Sequence, residues 1–255
     1  MVDVTVVILT KNEQKNLRKC IESFSGIVKR FVIVDSFSTD GTEELCHQLD
    51  GELRLIGSQL DFYQNKWVDY ATQLNWGLTN TGISTEWTMR FDSDEELLPE
   101  LAKEIDETLG NLEVPINGVI LRRRMYFMGK FIKHGGRYPE LLLRIFRTGK
   151  AKCEQKIMDE HMILSEGTTI TFKNDLIDNN QKDLDWWTSK HNWYSNREVL
   201  DYQMTLKHQV DESLAKGGIS SGQASVKRKI KNKGYYNLPK FWRAHLYFLY
   251  RYYLK

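Results

Sequence analysis

The chain has 255 residues, of which 41% are hydrophobic and 27% charged, and its formal net charge is +2. These values are typical of a folded protein with one large α/β domain, or one domain and an appendage, and they exclude a disordered chain. The three cysteines form no Cys-x-x-Cys pair, so we expect buried, reduced thiols in a cytosolic protein rather than a disulfide framework or a zinc site.

The N-terminus enters an apolar run directly, without the basic region or the cleavage site of a signal peptide. No stretch reaches the roughly 20 apolar residues of a membrane-spanning helix, so we expect none. Charge is uneven along the chain, because Ser213 to Lys255 contain ten Lys or Arg residues and no Asp or Glu. The sequence therefore predicts an acidic body with a basic extension.

Strand-like and helix-like patterns alternate in the N-terminal part of the chain. The apolar runs predict strands at Val4–Leu9, Phe31–Val34, Leu53–Ile56 and Trp87–Phe91. Helical spacing and start signals predict helices over Asn12–Phe24, from Asp40 through Leu49, over Trp67–Leu78 and from Pro99. This alternation predicts an α/β fold with a mainly parallel, Rossmann-like central sheet and flanking helices.

The second half of the chain is less regular. Strands are predicted at Gly118–Phe127 and Leu141–Phe146, separated by a glycine-rich segment that we expect to be a mobile loop. A long helix is predicted over Asp183–Leu200.

Polar segments follow three of the predicted strands, at residues 10–13, 35–42 and 92–94. Ligands of parallel sheets bind at the carboxyl ends of the strands, so these segments are expected to share one crevice. Asp92 and Asp94 could together bind Mg²⁺ or Mn²⁺, which usually completes its shell with water and substrate phosphates. Asp-x-Asp is also common in surface turns, and residues 35–42 could equally be a capped strand-to-helix turn.

Five segments, in order and spacing, resemble the inverting family 2 glycosyltransferases, which have the GT-A fold. They are Val7 to Glu13, Val34 to Thr42, Tyr70 to Leu78, Trp87 to Glu95, and Met158 to His161 followed by Gly167. The resemblance covers roughly residues 2–200 and is greatest to bacterial enzymes that build lipopolysaccharide and capsule.

The resemblance implies a nucleotide pocket and a Mn²⁺ or Mg²⁺ site. Asp94 would bind the metal directly, and Asp92 would contact both the ribose and the metal. Family members often carry Arg where Leu74 stands, and Lys66 or Gln73 could replace it. The full set of expected nucleotide-binding residues is Thr10, Asn12, Glu13, Asp35, Lys66, Gln73, Asn75, Asp92 and Arg144, with Arg144 contacting the diphosphate.

The family's general base is expected at Asp159-Glu160, because inversion requires a carboxylate that removes the proton of the acceptor hydroxyl. Glu160 is favoured over Asp159. The alternative is that Asp159 caps a helix while Glu160 pairs with a neighbouring base. His161 is a candidate third metal ligand, or makes a structural hydrogen bond.

The last sixteen residues have the pattern of a basic, aromatic-rich helix. Lys240, Arg243, Tyr247, Arg251 and Lys255 fall on one arc, and most of the aromatic and aliphatic residues fall on the other. Together with the basic run from Lys227 to Lys233, this predicts that residues 227–255 contact an anionic membrane surface. The alternative is that the apolar face packs on the body or on another subunit.

These observations predict a metal-dependent inverting glycosyltransferase that uses a nucleotide-sugar donor, with UDP favoured over GDP or dTDP. The acceptor is expected to be a glycan or a lipid-linked saccharide of bacterial surface polysaccharide, and the location is cytoplasmic and peripheral on the inner membrane face. No nucleic-acid partner is expected. Alternatives are a non-catalytic membrane-surface scaffold of the same fold and a sugar-phosphate nucleotidyltransferase. The expected domains are residues 1–210, with a nucleotide-sugar half (1–98) and an acceptor half (99–210), and a C-terminal extension (211–255).

Overall fold

The computed structural model of the chain describes residues 1–24, 26–207, 218–234 and 238–254. Lys255 and the side chain of Lys240, which were assigned to the basic arc, lie outside the described residues.

The described strands are β1 (Val2–Thr10), β2 (Val28–Asp35), β3 (Gln59–Gln64), β4 (Trp87–Asp92), β5 (Glu95–Leu97), β6 (Ile116–Phe127), β7 (Lys130–Phe131), β8 (Glu140–Arg147), β9 (Ala151–Cys153), β10 (Met162–Leu164) and β11 (Thr168–Asp178). The described helices are α1 (Leu17–Glu22), α2 (Thr42–Arg54), α3 (Tyr70–Asn80), α4 (Pro99–Thr108), α5 (Leu184–Leu206), α6 (Gly222–Lys233) and α7 (Lys240–Leu249). A 3₁₀ turn (Leu109–Asn111) follows α4, and a π-helical turn (Tyr250–Leu254) follows α7.

The central sheet has the strand order β3-β2-β1-β4-β8-β6-β11-β5, with β7 paired to β6. Strands β3, β2, β1 and β4 are parallel, whereas β8 runs antiparallel to both β4 and β6. Beyond them, β11 is parallel to β6 and antiparallel to β5. The predicted α/β fold of GT-A type is confirmed, and its sheet becomes mixed after β4.

Both faces of the sheet are covered, which explains why its central strands are continuously apolar. One core cluster packs α1, α2 and α4 on the sheet through residues such as Leu17, Leu49 and Leu101. A second cluster, on the side of α3, includes Val7, Val34 and Leu74. Cys20, Cys46 and Cys153 are buried and unpaired, as predicted.

Two predicted elements differ from the structure. The predicted strand Leu53–Ile56 is wrong, because α2 extends to Arg54 and Leu55 is 87% exposed. The third strand is Gln59–Gln64, an edge strand with the partly polar pattern typical of that position. The predicted helix over Asn12–Phe24 begins only at Leu17, since the residues before it form a loop.

The C-terminal helices α6 and α7 are present. Among the described residues, no helix combines the length and apolar content needed to cross a bilayer.

Candidate functional site

The register of the parallel strands brings the three polar segments together at their carboxyl ends. Thr10 pairs with Asp35 across β1 and β2, and Leu9 pairs with Asp92 across β1 and β4. The three polar segments therefore meet at one edge of the sheet, with the segment after β1 between the other two.

Asp35 is fully buried at this edge. Its carboxylate accepts hydrogen bonds from the hydroxyl of Thr10 at 2.8 Å and from the backbone N–H of Ser38 at 2.7 Å, as well as from the Ser38 hydroxyl at 2.6 Å. These bonds fix the turn after β2 and join it to the end of β1.

Asn12 and Glu13 form the loop between β1 and α1. Asn12 has a left-handed backbone (φ 56°), and its amide oxygen accepts from the backbone N–H of Thr39. Glu13 accepts from Asn16 at 2.7 Å and from the ammonium of Lys182 at 2.5 Å. The latter bond joins this loop to the segment before α5.

The residues predicted on and before α3 have separate environments. Gln73 is buried and bonded to Ser36 and Asn65, next to the Asp35 turn. Leu74 lies in the core, and Lys66 is exposed on the loop after β3. The side-chain amide of Asn75 donates to the carbonyl oxygen of Cys153 and accepts from its backbone N–H, so it joins α3 to β9.

Asp92 lies in a buried network of charges. Its carboxylate accepts from Tyr70 at 2.8 Å and from Arg144 at 3.0 Å. Arg144 is 1% exposed and also contacts the fully buried Glu95. Burial opposes ionisation of Asp92, but Arg144 and Arg90 prevail and hold its pKa well below the ordinary value.

Arg144 has two further nitrogens, Nε and Nη1, that are buried and have no protein partner. Arg123, on the neighbouring strand, contacts Glu95, Glu140 and Asp178. Arg122 and Arg124, its neighbours in sequence, both contact Asp175 instead. Successive side chains of β6 thus point to opposite faces, as expected of a strand.

Asp94 follows β4 and accepts from Asn180 at 2.8 Å. Burial and the nearby Asp94 raise the pKa of Asp178. No group of three or more His, Cys, Asp or Glu side chains is arranged to hold a metal within the part of the chain that the structure describes. Asp94 and Asp92 supply carboxylates, the ligand type that Mg²⁺ and Mn²⁺ prefer, but both oxygens of Asp92 already accept hydrogen bonds, one from Tyr70 and one from Arg144.

Asp159, Glu160 and His161 lie in the loop between β9 and β10. Burial raises the pKa of Glu160 to about 7. Burial also opposes ionisation of Asp159, but the ammonium of Lys231, 2.8 Å from its carboxylate, lowers its pKa below the ordinary value. The ring nitrogen Nδ1 of His161 lies 3.1 Å from the buried Glu154. The pKa values of these two adjacent carboxyl groups are therefore shifted in opposite directions, up for Glu160 and down for Asp159.

A cavity of about 160 Å³ connects these groups, and Glu160, Arg90, Arg123 and Arg144 all line it. The candidate base and Arg144 thus line one space.

Several residues of the site were missed by sequence reasoning, namely Tyr70, Arg90, Glu95, Asp178 and Lys182. Only Glu95 had a signal, as an acidic residue directly after the Asp92–Asp94 motif. The others join the site through contacts between strands and helices that are distant in sequence.

A family profile described as "Glycosyl transferase family 2" matches residues 5–177, which is more than half of the chain. An uncharacterized glycosyltransferase of Rickettsia felis is 30% identical over 106 residues, which are 42% of this chain and 34% of that protein. The SPbeta prophage-derived glycosyltransferase SunS of Bacillus subtilis is 30% identical over 95 residues, 36% of this chain and 20% of that protein. The chain thus spans 34% or less of these two curated relatives.

Two solved structures are also similar. S. aureus TarS 1-349 in complex with UDP-GlcNAc has a TM-score of 0.48 and 16% identity, covering 71% of this chain and 60% of that chain. The mannosyltransferase PcManGT from Pyrobaculum calidifontis, in complex with GDP-Man and Mn2+, has a TM-score of 0.41 and 18% identity, covering 57% of this chain and 44% of that chain.

Proposed function

The chain belongs to glycosyl transferase family 2, and from that premise we propose that it is an inverting enzyme that transfers a sugar from a nucleoside-diphosphate donor. The acceptor is a hydroxyl of a glycan or lipid-linked saccharide in bacterial surface polysaccharide, such as lipopolysaccharide or capsule, and UDP is the favoured nucleotide. The observation that carries this proposal is the shared cavity: Glu160 and Arg144 line the same space, and Arg144 contacts Asp92.

Glu160 acts as the general base. A base is most effective when its pKa lies near the working pH, and burial raises that of Glu160 to about 7. Its carboxylate takes the proton of the acceptor hydroxyl while that oxygen bonds to the anomeric carbon. The bond from this carbon to the diphosphate breaks on the opposite face, which inverts the configuration.

The donor lies at the carboxyl ends of β1, β2 and β4. Thr10, Asn12, Glu13 and Asp35 line the base and ribose side, with Lys66, Gln73 and Asn75 on the side of α3. Arg144, which lines the cavity, donates to the diphosphate, since a guanidinium is well suited to phosphate oxygens.

Mn²⁺ or Mg²⁺, held by Asp94 and Asp92 with His161 as the third ligand, would offset the negative charge of the departing diphosphate when bound. Because Nδ1 of His161 is turned to Glu154, only its other ring nitrogen is open to such a role.

Residues 227–255 bring the enzyme to an anionic membrane surface, where a lipid-linked acceptor would lie. This is supported by the exposure of large aromatic side chains on and after α7, including Phe241 at 93%, Trp242 at 63% and Tyr252 at 74%. Such a surface, next to cationic residues and without acidic ones, fits the interfacial region of a bilayer.

A thermal-shift panel tests the donor site. UDP, GDP, dTDP and CMP are each added with Mn²⁺ or with EDTA, because a ligand that binds only the folded state raises its melting temperature. We expect a rise with one nucleotide that is lost with EDTA and in Asp94→Asn. No shift with any nucleotide would contradict the donor site and favour a non-catalytic scaffold.

A further inference from the structure

The loop from residue 154 to residue 161, here called the base loop, joins β9 to β10 and carries Glu160. Asp159, the residue before Glu160, has a left-handed backbone (φ 57°). This conformation is uncommon for a residue with a side chain and persists only where the surroundings enforce it. The orientation of Glu160 therefore depends on whatever holds the peptide that links it to Asp159.

Arg228 of α6 holds that peptide. Its Nη2 donates to the backbone carbonyl oxygen of Asp159 at 2.6 Å and to the carboxylate of Glu154 at 2.8 Å, and lies 3.2 Å from Nδ1 of His161. Arg228 is 5% exposed and Glu154 is fully buried. One guanidinium therefore contacts the start of the base loop, its turn and its end.

The rest of α6 supports this placement. Ser221 caps the helix, and Ala224, one turn before Arg228, packs against Ile163 of β10. Lys231, almost one turn after it, contacts the carboxylate of Asp159 at 2.8 Å and that of Glu198 at 3.1 Å. These spacings of four and three residues place one face of α6 along the loop.

Helix α5 holds the loop from another side. Arg197 donates to the carbonyl oxygen of Ile157 at 2.8 Å, and the buried Asp201 accepts from Lys156 at 3.1 Å. Both helices follow the region that the family profile matches, residues 5–177.

We propose that Arg228 is a positioning residue for Glu160, and that residues 218–234 thereby form part of the catalytic apparatus. This inference rests on the proposed role of Glu160 as the base. Arg228 touches no reacting atom: it acts by fixing the peptide that aims the Glu160 carboxylate into the cavity lined by Arg144.

The geometry of the guanidinium is essential to this role, beyond its charge. A lysine at position 228 could still neutralise Glu154, but it lacks the second nitrogen, Nη1, that lies 3.5 Å from the other oxygen of Glu154 and orients the planar guanidinium, so its ammonium on a flexible stem would not be held at the Asp159 carbonyl. Arg228→Lys therefore separates the two roles. If the residue only balances the charge of Glu154, lysine restores both stability and turnover; if it positions the loop, lysine restores stability alone.

The experiment compares the wild type, Arg228→Lys and a matched control, Arg124→Lys. Arg124 also contacts a buried carboxylate, that of Asp175, but lies on the opposite face of β6 from Arg123. Two quantities are measured at matched temperature: hydrogen–deuterium exchange of peptides covering residues 154–161, and the release of nucleoside diphosphate from UDP-, GDP- and dTDP-sugars.

In Arg228→Lys we expect exchange in the base loop to rise by about tenfold or more, with exchange elsewhere unchanged. We expect kcat to fall by about tenfold to a hundredfold while KM for the donor stays within about twofold, because a misplaced base affects the chemical step and not donor binding. Arg124→Lys should match the wild type in both measurements.

Wild-type exchange and wild-type kcat in Arg228→Lys would overturn the proposal. If Arg228→Lys fails to fold, Lys231→Met, which removes the more exposed contact to Asp159, must show the same pattern at smaller amplitude, and a wild-type result there would overturn it. Failure of the proposed function is recognised separately: Glu160→Gln would then turn over as fast as the wild type, while loop exchange still reports on Arg228.

Discussion

Replacing Arg144 by methionine tests the charge network beneath the donor site. Nη2 of Arg144 lies 3.0 Å from Asp92 and also contacts Glu95, and the arginine is 1% exposed. Removing one partner of a buried ion pair leaves an uncompensated charge and typically costs about 3–5 kcal/mol. For a chain of this size the melting temperature is expected to fall by about 6–20 °C.

The pH dependence of this loss follows from Glu95. Burial raises the pKa of Glu95 to about 7 despite the neighbouring Arg144. Because the folded-state pKa is raised, protonated Glu95 favours folding at low pH, and this contribution is lost as the pH rises through about 7. Without Arg144 the ionised form becomes still less favourable, so the difference in unfolding free energy between wild type and Arg144→Met should grow from pH 6 to pH 8.

Urea unfolding at pH 6 and pH 8 measures the loss of unfolding free energy in Arg144→Met and its dependence on pH. The double variant Arg144→Met/Glu95→Gln should recover about 1–3 kcal/mol at pH 8, because it removes the stranded charge. Arg18→Met is the matched control: Arg18 also contacts two carboxylates, those of Glu22 and Glu52, but on the surface, so about 1 kcal/mol or less is expected. A loss of this small size in Arg144→Met, or the same loss at both pH values, would refute the reasoning.

Three further outcomes are expected. The transfer rate should rise with pH through about 7 and then level off, because Glu160 must be ionised to act as the base; a rate that is flat from pH 5 to pH 8 would contradict this. Asp159→Asn should reduce transfer by less than about tenfold, since that carboxylate is held by Lys231; a larger loss, measured with saturating donor, would move the role of base to it. Removing residues 238–255 should weaken co-sedimentation with anionic vesicles and leave turnover of water-soluble substrates unchanged, and equal binding by both forms would contradict membrane contact through α7.

The central strands β1, β2 and β4 could be predicted from the sequence because a strand covered on both faces is continuously apolar. The edge strand β3 could not, since its burial pattern is partial and the nearby run Leu53–Ile56 covers the end of α2 and the turn after it. Helix α1 is shorter than predicted for a different reason. The backbone N–H groups of Asn12 and Gln14 donate to the side chains of Ser38 and Asp40, which holds the residues before Leu17 in a loop despite a spacing that suits a helix.

Within the site, sequence reasoning reached the residues that follow strand ends, because chain direction alone brings those ends together. It could not reach partners joined across the fold, such as Arg144 with Asp92 or Lys182 with Glu13. The basic run within α6 shows the same limit. Its charges alone predict contact with a membrane surface, yet Arg228 is buried and pairs with Glu154. Only the spacing of Ala224, Arg228 and Lys231 indicates that one face of α6 points inward.

The most direct test of the account is the rate of nucleoside diphosphate release from UDP-, GDP- and dTDP-sugars by the wild type and by Glu160→Gln. We expect one donor to be turned over by the wild type, and a fall of about a hundredfold or more in Glu160→Gln, with nucleotide binding retained in the thermal-shift assay. Equal rates in the two proteins, or no release from any donor by the wild type, would contradict the proposal that Glu160 is the base of an inverting sugar transfer.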